Sequence, residues 1–466
     1  MSAAAYLEGT FAQEVVDELV EEPFRAVQVP EGIDAVPVVR HCLAACRRKN
    51  IRDGLLAGLL LLALVSIVTG SSALLGFCVV AAWAVVVWDV WTSSRSLVLG
   101  KLSAGTFRPE DAPAVANTQA ATRVSELEAR SHGNVSVYSG FNPFGGSGFD
   151  HGGWSFAMDM QKGSEHLGER HEPKSFDVSE LYEAVDAALR RLRITGLELE
   201  GRLFVNGTDL RHDRLLLPDV VGHPVAAVDQ ADLDRFIAHP THRVRYYVCI
   251  RVIDWRGELV VSLFLRFALE NGRLFAELSR FLLPPVKSKY HRVDSIEPEL
   301  TVRGALSMLG RASLLTIPLW LRSPVSVLRP VRRARRRSVE RRQVKRDPMF
   351  DYGAPTTALD RARSTEYSRY FQKLDREMYV KMLERTILDT LTEFLDEHDI
   401  DTGELAERRE TIVNNGLMLP GGTVQAHNLA VGSGAKIVGR FFQGGSGRVP
   451  PTTGATGGGQ TTPAGG

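Results

Sequence analysis

The chain has 466 residues, with 56 Lys and Arg against 55 Asp and Glu, and a formal net charge of +1. A net charge this close to zero excludes a protein that binds nucleic acid through its overall positive charge. A content of 44% apolar residues excludes a wholly disordered chain. Four cysteines in this length exclude a disulfide-stapled secreted scaffold.

Residues 1–50 are an acidic segment that precedes the first long apolar run. Val15, Val16, Leu19 and Val20 predict a short amphipathic helix within it. Cys42 and Cys46 lie four apart, but only His41 stands near them as a further metal ligand. We therefore expect both to be small apolar residues on a helix.

An uncharged run from Gly54 to Val87 predicts two membrane helices within residues 51–92. One helix of that length would measure about 50 Å, against a hydrocarbon core of about 30 Å. Thr69-Gly70-Ser71-Ser72 is typical of a tight turn, which leaves legs over Ile51–Val68 and Ala73–Trp91. A buried hairpin of a soluble core and a shallow hairpin that does not fully cross are the alternatives.

The basic residues that flank this hairpin predict its orientation. Arg47, Arg48, Lys49 and Arg52 precede the first leg, Arg95 and Lys101 follow the second, and the turn is uncharged. The positive-inside rule therefore predicts a multi-pass protein of the cell membrane with both termini in the cytoplasm.

Residues 100–300 are predicted to form one α+β cytoplasmic domain. Apolar spacing after Asp177-Val-Ser179-Glu180 predicts a helix to Leu192. An antiparallel meander is predicted over 245–253, 258–268 and 273–282, with Asn271-Gly272 as its strongest turn, and earlier strands over 155–160 and 197–205. Gly145-Gly146-Ser147-Gly148 is predicted to be a loop, because neither a phosphate-binding lysine motif nor a dinucleotide fingerprint follows. No catalytic, metal or cofactor set is predicted.

Residues 301–346 are predicted to lie on the membrane surface. Arginines and two prolines interrupt the apolar part, and its longest uncharged stretch, Ala312–Leu321, is too short to span. A basic cluster follows, with Arg332, Arg333, Arg335, Arg336 and Arg337 as the predicted contacts to anionic lipids. Nucleic acid is the less favoured partner, because no aromatic residues are interleaved, and a solvated linker is a further alternative.

Residues 357–412 are predicted to be helical. A stripe near 3.5-residue spacing predicts a helix that faces the core or associates with itself, and it comprises Tyr370, Leu374, Met378, Met382, Ile387, Leu391 and Phe394.

Residues 413–442 are rich in Gly and Asn and prone to β-structure, and residues 443–466 are predicted to be a disordered tail. Short apolar stretches with amides and glycines favour in-register pairing between copies. The segment resembles the amyloid-signalling motifs of bacteria, which share the logic of the necroptosis homotypic-interaction motif. The proline at 420 departs from a stacked ladder. The matching residues, our predicted assembly motif, are Asn414, Asn415, Gly416, Gly421, Gly422, Val424, Asn428, Val431 and Gly432.

The resemblance covers about thirty residues and implies templated assembly with itself or with a receptor that carries a like motif. The remainder resembles uncharacterised actinobacterial two-span membrane proteins, a resemblance that carries no function. The sequence therefore predicts a membrane-anchored, non-enzymatic signalling or effector protein. Two alternatives stay open: a ligand sensor or enzyme with a site in residues 130–290 near Trp154, and an oligomeric scaffold built on the helix near 370–395.

Overall fold

The computed structural model describes residues 1–28, 31–93, 102, 106–166, 169–295 and 301–414. The α-helices are α1 Ala4–Leu7, α2 Phe11–Val15, α3 Ala35–Thr69, α4 Ser72–Trp91, α5 Thr118–Ser131, α6 Val178–Arg191, α7 Gln230–Ala238, α8 Val302–Val327, α9 Arg329–Arg346, α10 Ala358–Arg361, α11 Tyr370–Glu397 and α12 Gly403–Asn414. The strands are β1 Val135–Tyr138, β2 Phe149–Asp159, β3 Glu165–His166, β4 Glu169–Arg170, β5 Leu197–Asn206, β6 Val244–Asp254, β7 Leu259–Glu270 and β8 Arg273–Leu283. The α+β class predicted from the sequence is confirmed.

A six-stranded sheet in the order β1-β5-β6-β7-β8-β2 is the centre of the fold. The predicted meander is confirmed as β6, β7 and β8, which pair in antiparallel fashion. Asn271 and Gly272 turn between β7 and β8 with φ of 52° and 75°, as a tight hairpin requires. The strand β1 pairs in parallel with β5, so the sheet is mixed, and no sequence pattern had indicated β1.

One face of the sheet carries the main core beneath α6 and α11. The predicted helix is confirmed as α6, which begins with a capping box between Asp177 and Glu180. Alternate strand residues meet its apolar stripe and that of α11, since side chains of a strand alternate between faces. Leu181, Leu189, Ile250, Leu263 and Leu391 are fully buried there.

The opposite face holds an aromatic cluster beneath the Gly-rich loop. Phe144 stacks on Phe264 with ring centroids 3.9 Å apart, and Phe204, Tyr247 and Phe281 surround the pair. Gly148 lets the loop pass the end of β8, because a Cβ there would lie 2.0 Å from the carbonyl oxygen of Leu282. The predicted loop is therefore confirmed, and its role is to cover this face.

The acidic N-terminal segment packs into the folded body. The apolar residues of α2 and of the π-helical turn Val16–Val20 are buried against the first half of α3, against α5 and against α10. Cys42 and Cys46 are buried in this core, as expected for apolar residues.

The stripe predicted along residues 370–394 divides at the middle of α11. Ile387, Leu391 and Phe394 face the core, but Tyr370 and Met378 are exposed. The second half of the helix therefore faces the core, and self-association through the exposed first half stays a prediction. Gln372 and Glu384 are also buried. Gln372 accepts from the backbone N–H groups of Ser368 and Arg369 at the start of the helix, and Glu384 accepts from Trp154 of the sheet.

Candidate functional site: the membrane helices, the basic helix and two buried charge networks

Three apolar helices pack together beside the sheet domain. The predicted hairpin is confirmed as α3 and α4, with Gly70 at φ 70° in the turn. The helix α8 packs on both, where Ala82 and Ala312 are fully buried and the Trp83 indole N–H donates to Ser313 Oγ over 2.9 Å. Ala35–Thr69, Ser72–Trp91 and Val302–Arg346 are each long and apolar enough to cross a membrane. The chain is a membrane protein.

A charged network closes the end of this bundle that faces the sheet domain. Asp89 accepts from Arg48 at 3.0 Å and from Arg52 at 2.9 Å, and Arg52 also binds Asp53. These side chains are largely buried, so they offset one another's charge where the hairpin ends.

The direction of α8 restricts how it meets a bilayer. Ser313 lies beside Trp83, and Arg333, further along the same helical course, lies 3.0 Å from Asp17 of the N-terminal core. The helix α8 therefore runs parallel to α4 and toward the sheet domain. The start of α8 is therefore its end farther from the sheet domain, and its last turns lead into α9 beside the N-terminal core.

This arrangement differs from the expected segment on the membrane surface. The uncharged stretch of α8 is short, but small residues on one face of this helix let it pack on the hairpin. Thr316 and Ser323 on that face are buried, and their hydroxyl groups bond to carbonyl oxygens of the preceding turn.

The five arginines predicted to contact lipid lie on α9, the helix that continues α8. Arg333 binds Asp17 at 3.0 Å and Glu21 at 3.6 Å, and Arg337 binds Glu21 at 2.8 Å. Two of the five therefore hold α9 against the acidic N-terminal helix.

The other three predicted arginines face outward. Arg336 pairs with Glu340 on its own helix at 2.8 Å. Arg332 and Arg335 are exposed and make no ion pair within the ranges that the structure describes. These two remain available to an anionic surface.

A buried arginine on the sheet binds the N-terminal segment. Arg251 of β6 is 4% exposed and lies 3.1 Å from Glu31, 3.4 Å from Glu198 and 2.5 Å from Glu200. Burial raises the pKa of Glu31, and the charge of Arg251 opposes that shift. The backbone of Glu31 also accepts from Arg363. Residue 31 thus connects the N-terminal segment to the sheet.

A second buried network includes Trp154, the residue near which the sequence placed an alternative ligand site. The Trp154 indole N–H donates to Glu384 Oε1 over 3.2 Å, and Arg280 Nε lies 2.9 Å from the same oxygen. Burial raises the pKa of Glu384, opposed by Arg280. Glu384 of α11 thus contacts Trp154 of β2 and Arg280 of β8, and these contacts join α11 to the sheet.

Four residues of these networks were not predicted from the sequence: Arg251, Glu31, Arg280 and Glu384. One signal was present: a charged residue inside an apolar strand pattern, such as the Arg of Cys-Ile-Arg-Val at 249–252, needs a buried partner. The partner itself could not be identified, because Glu31 is more than two hundred residues away.

The predicted assembly motif lies almost wholly outside the described residues. Asn414 is the last residue of α12, and the motif residues from Asn415 to Gly432, like the tail, are not described. The preceding helix α12 packs on the main core through Leu405 and Ile412. The motif therefore begins at the surface of the sheet domain.

The described part of the chain has open clefts but no metal-ligating cluster. Among those residues no group of three His, Cys, Asp or Glu is placed to hold a metal ion. Two open clefts there, of about 360 and 240 Å³, are lined neither by Trp154 nor by the Gly-rich loop.

Comparison with known proteins gives a family. A model of the AbeC-like domain matches residues 153–425, from β2 through α12 and into the Gly- and Asn-rich segment. No curated protein and no solved structure matches the chain. The family model covers the sheet from β2 onward, together with α8, α9 and α11, but not the hairpin of α3 and α4. Since the match extends over more than half of the sequence, the chain belongs to the family of proteins with an AbeC-like domain.

Proposed function

We propose that this protein is a membrane-anchored, non-enzymatic signalling or effector protein, and that residues 413–442 mediate its homotypic assembly or its recruitment by a receptor with a similar motif. The observation that carries the proposal is the position of α12. Its core contact at Ile412 holds the start of the motif at the surface of a domain that the membrane helices anchor.

The anchoring supports assembly on physical grounds. Copies anchored in one membrane diffuse in only two dimensions. This confinement raises their effective concentration and favours weak contacts between their motifs. The N-terminal helices pack on the first half of α3, and Phe24 after them packs with Val137 of β1 and Leu203 of β5. The N-terminal segment and the sheet domain therefore lie together on one side of the hairpin. The basic flanks of the hairpin favour the cytoplasm as that side.

Anionic lipids are the proposed second partner. Arg332 begins the exposed basic face of α9 close to the end of the bundle, where each basic residue contributes up to about 1 kcal/mol near an anionic surface. Nucleic acid is less favoured, because no aromatic residues are interleaved with the basic cluster.

The test uses full-length protein reconstituted at fixed density into vesicles, with assembly followed by crosslinking and amyloid-dye fluorescence. Val424→Asp and Val431→Asp place a charge in the proposed interdigitating positions and should abolish assembly. Val449→Asp adds the same charge in the tail and is the matched control. Wild-type protein that stays monomeric at every density, or motif variants that assemble as well as the control, would exclude the proposal.

An oligomeric scaffold is the second candidate, and the exposed half of α11 favours it. Tyr370, Phe371, Met378 and Met382 are exposed on one helix, an apolar surface typical of protein contacts. This candidate predicts an oligomer that survives deletion of residues 415–466 and dissociates in Met378→Lys. A monomer after the deletion would favour the assembly motif instead.

A further inference from the structure

A basic cleft lies where α9 meets the sheet domain. It measures about 360 Å³, and four segments of the chain line it: Pro23 and Phe24, Arg123 of α5, Val221, and Arg337, Ser338 and Arg341 of α9. Three of the lining side chains are guanidinium groups and none is a carboxylate. Such a convergence of positive charge around an open cleft is what binding of a phosphate group requires.

A neutral histidine orients one of these arginines. His223 Nδ1 donates to the carbonyl oxygen of Arg25 over 2.8 Å, which leaves Nε2 to accept from Arg123 Nη1 over 2.7 Å. Burial, followed by the charge of Arg130, lowers the pKa of His223 to about 4, so the ring is uncharged at neutral pH. Arg123 thus carries its full positive charge, and its N–H groups that do not bind His223 can donate to a ligand in the cleft.

The other two arginines differ in how they are paired. Arg337 binds Glu21 at 2.8 Å, which fixes the position of its side chain at the wall of the cleft. Arg341 is exposed and makes no ion pair within the ranges described above. A guanidinium group without a carboxylate partner, one helical turn from a fixed one, is available to an incoming anion.

The cleft lies beside the helix that continues from the apolar bundle. Leu328 keeps helical torsion angles, and the Arg332 N–H donates to its carbonyl oxygen, so α9 continues the course of α8. The residues from Leu328, where the apolar course ends, to Ser338 extend for about 15 Å at 1.5 Å per residue. The phosphate group of a soluble compound and that of a lipid headgroup are therefore the two sources to distinguish at the cleft.

We propose that this cleft binds a phosphate group, carried by a soluble small molecule or by a lipid headgroup, through Arg123, Arg337 and Arg341. The bound ligand bridges α9 to α5 and to the N-terminal segment. It thereby stabilises the packing of α9 against the sheet domain. The proposal does not rest on the assembly function.

The experiment measures binding of pyrophosphate, as the probe, to full-length protein in nanodiscs of neutral lipid by isothermal titration calorimetry. Arg341→Gln removes one exposed cationic group from the cleft and should weaken binding by about tenfold. Arg335→Gln makes the same change on the same helix outside the cleft and should alter the dissociation constant by less than about twofold.

The outcomes separate the alternatives. Absence of pyrophosphate binding at millimolar concentration, or equal weakening by the two variants, overturns the proposal, since the second result indicates attraction to the whole basic helix. A repeat in nanodiscs of anionic lipid tests the source of the phosphate. Unchanged affinity identifies a soluble phosphate compound as the ligand, whereas loss of pyrophosphate binding identifies lipid headgroups; either result supports a phosphate site.

Discussion

Replacement of Arg251 by Met is the most informative perturbation of the charge network on the sheet. The arginine is 4% exposed and faces three carboxylates, which differ in their contact with water. The side chains of Glu198 and Glu200 are 48% and 40% exposed, so water solvates their charges after Arg251 is replaced. Glu31 is 15% exposed and keeps a buried charge without a cation.

The expected loss therefore comes almost entirely from Glu31. Removal of one partner from a buried ion pair costs about 3–5 kcal/mol, because the remaining charge stays desolvated. A loss of about 4 kcal/mol corresponds to a melting temperature lower by roughly 8–16 °C for a domain of this size.

The pH dependence gives a second, independent expectation. Burial raises the pKa of Glu31 in the folded state, so the folded protein binds a proton more readily than the unfolded chain does. The free energy of unfolding therefore falls as pH rises from the unfolded pKa through the raised folded pKa. Loss of Arg251 raises that pKa further, and the Arg251→Met variant should lose more stability at pH 8 than at pH 5.

The assay is thermal unfolding of the full-length protein in neutral detergent, followed by tryptophan fluorescence at both pH values. The double variant Arg251→Met with Glu31→Gln is the control, since it removes the uncompensated charge and should recover much of the stability. A melting temperature within about 3 °C of wild type, or a double variant no better than the single one, would refute the reasoning.

Three further predictions test the remaining packing by the same melting assay. Glu384→Ala leaves the Trp154 indole N–H without its acceptor and should cost about 2–3 kcal/mol with a shift in tryptophan emission; an unchanged spectrum would contradict the contact. Leu391→Ala creates a cavity at a fully buried site of α11 and should cost about 2–5 kcal/mol, whereas Met382→Ala on its exposed side should cost under about 1 kcal/mol; equal losses would mean that α11 is seated differently. Ala312→Leu overfills the contact of α8 with the hairpin and should cost about 1–3 kcal/mol; a stability equal to wild type would argue against that contact.

Local patterns predicted several elements closely. The helix α6 follows its capping box, β6 to β8 follow their apolar runs and the Asn271-Gly272 turn, and α3 and α4 divide at Gly70. Each of these depends on residues within a few turns or one hairpin, so the sequence window contains the cause.

Elements that depend on distant partners were not predicted. The short β1 has too few residues to show periodicity, and it is a strand because β5 offers it a parallel edge. The helix α11 was expected to face the core or to associate with itself along one stripe, but only its second half enters the main core, and at its middle the sheet presents Trp154 and Arg280 to Glu384. Which face of a helix is buried depends on the surface it meets.

The sequence by itself determined that two apolar helices form a hairpin, that an α+β domain follows, and that a basic helix comes after it, because composition and periodicity are properties of neighbouring residues. Only the tertiary structure decided that α8 packs on the hairpin, that Glu31 compensates Arg251, and that Arg337 is fixed beside Arg123 at one cleft. These pairs are separated by hundreds of residues, and their energies arise only when the fold removes them together from water.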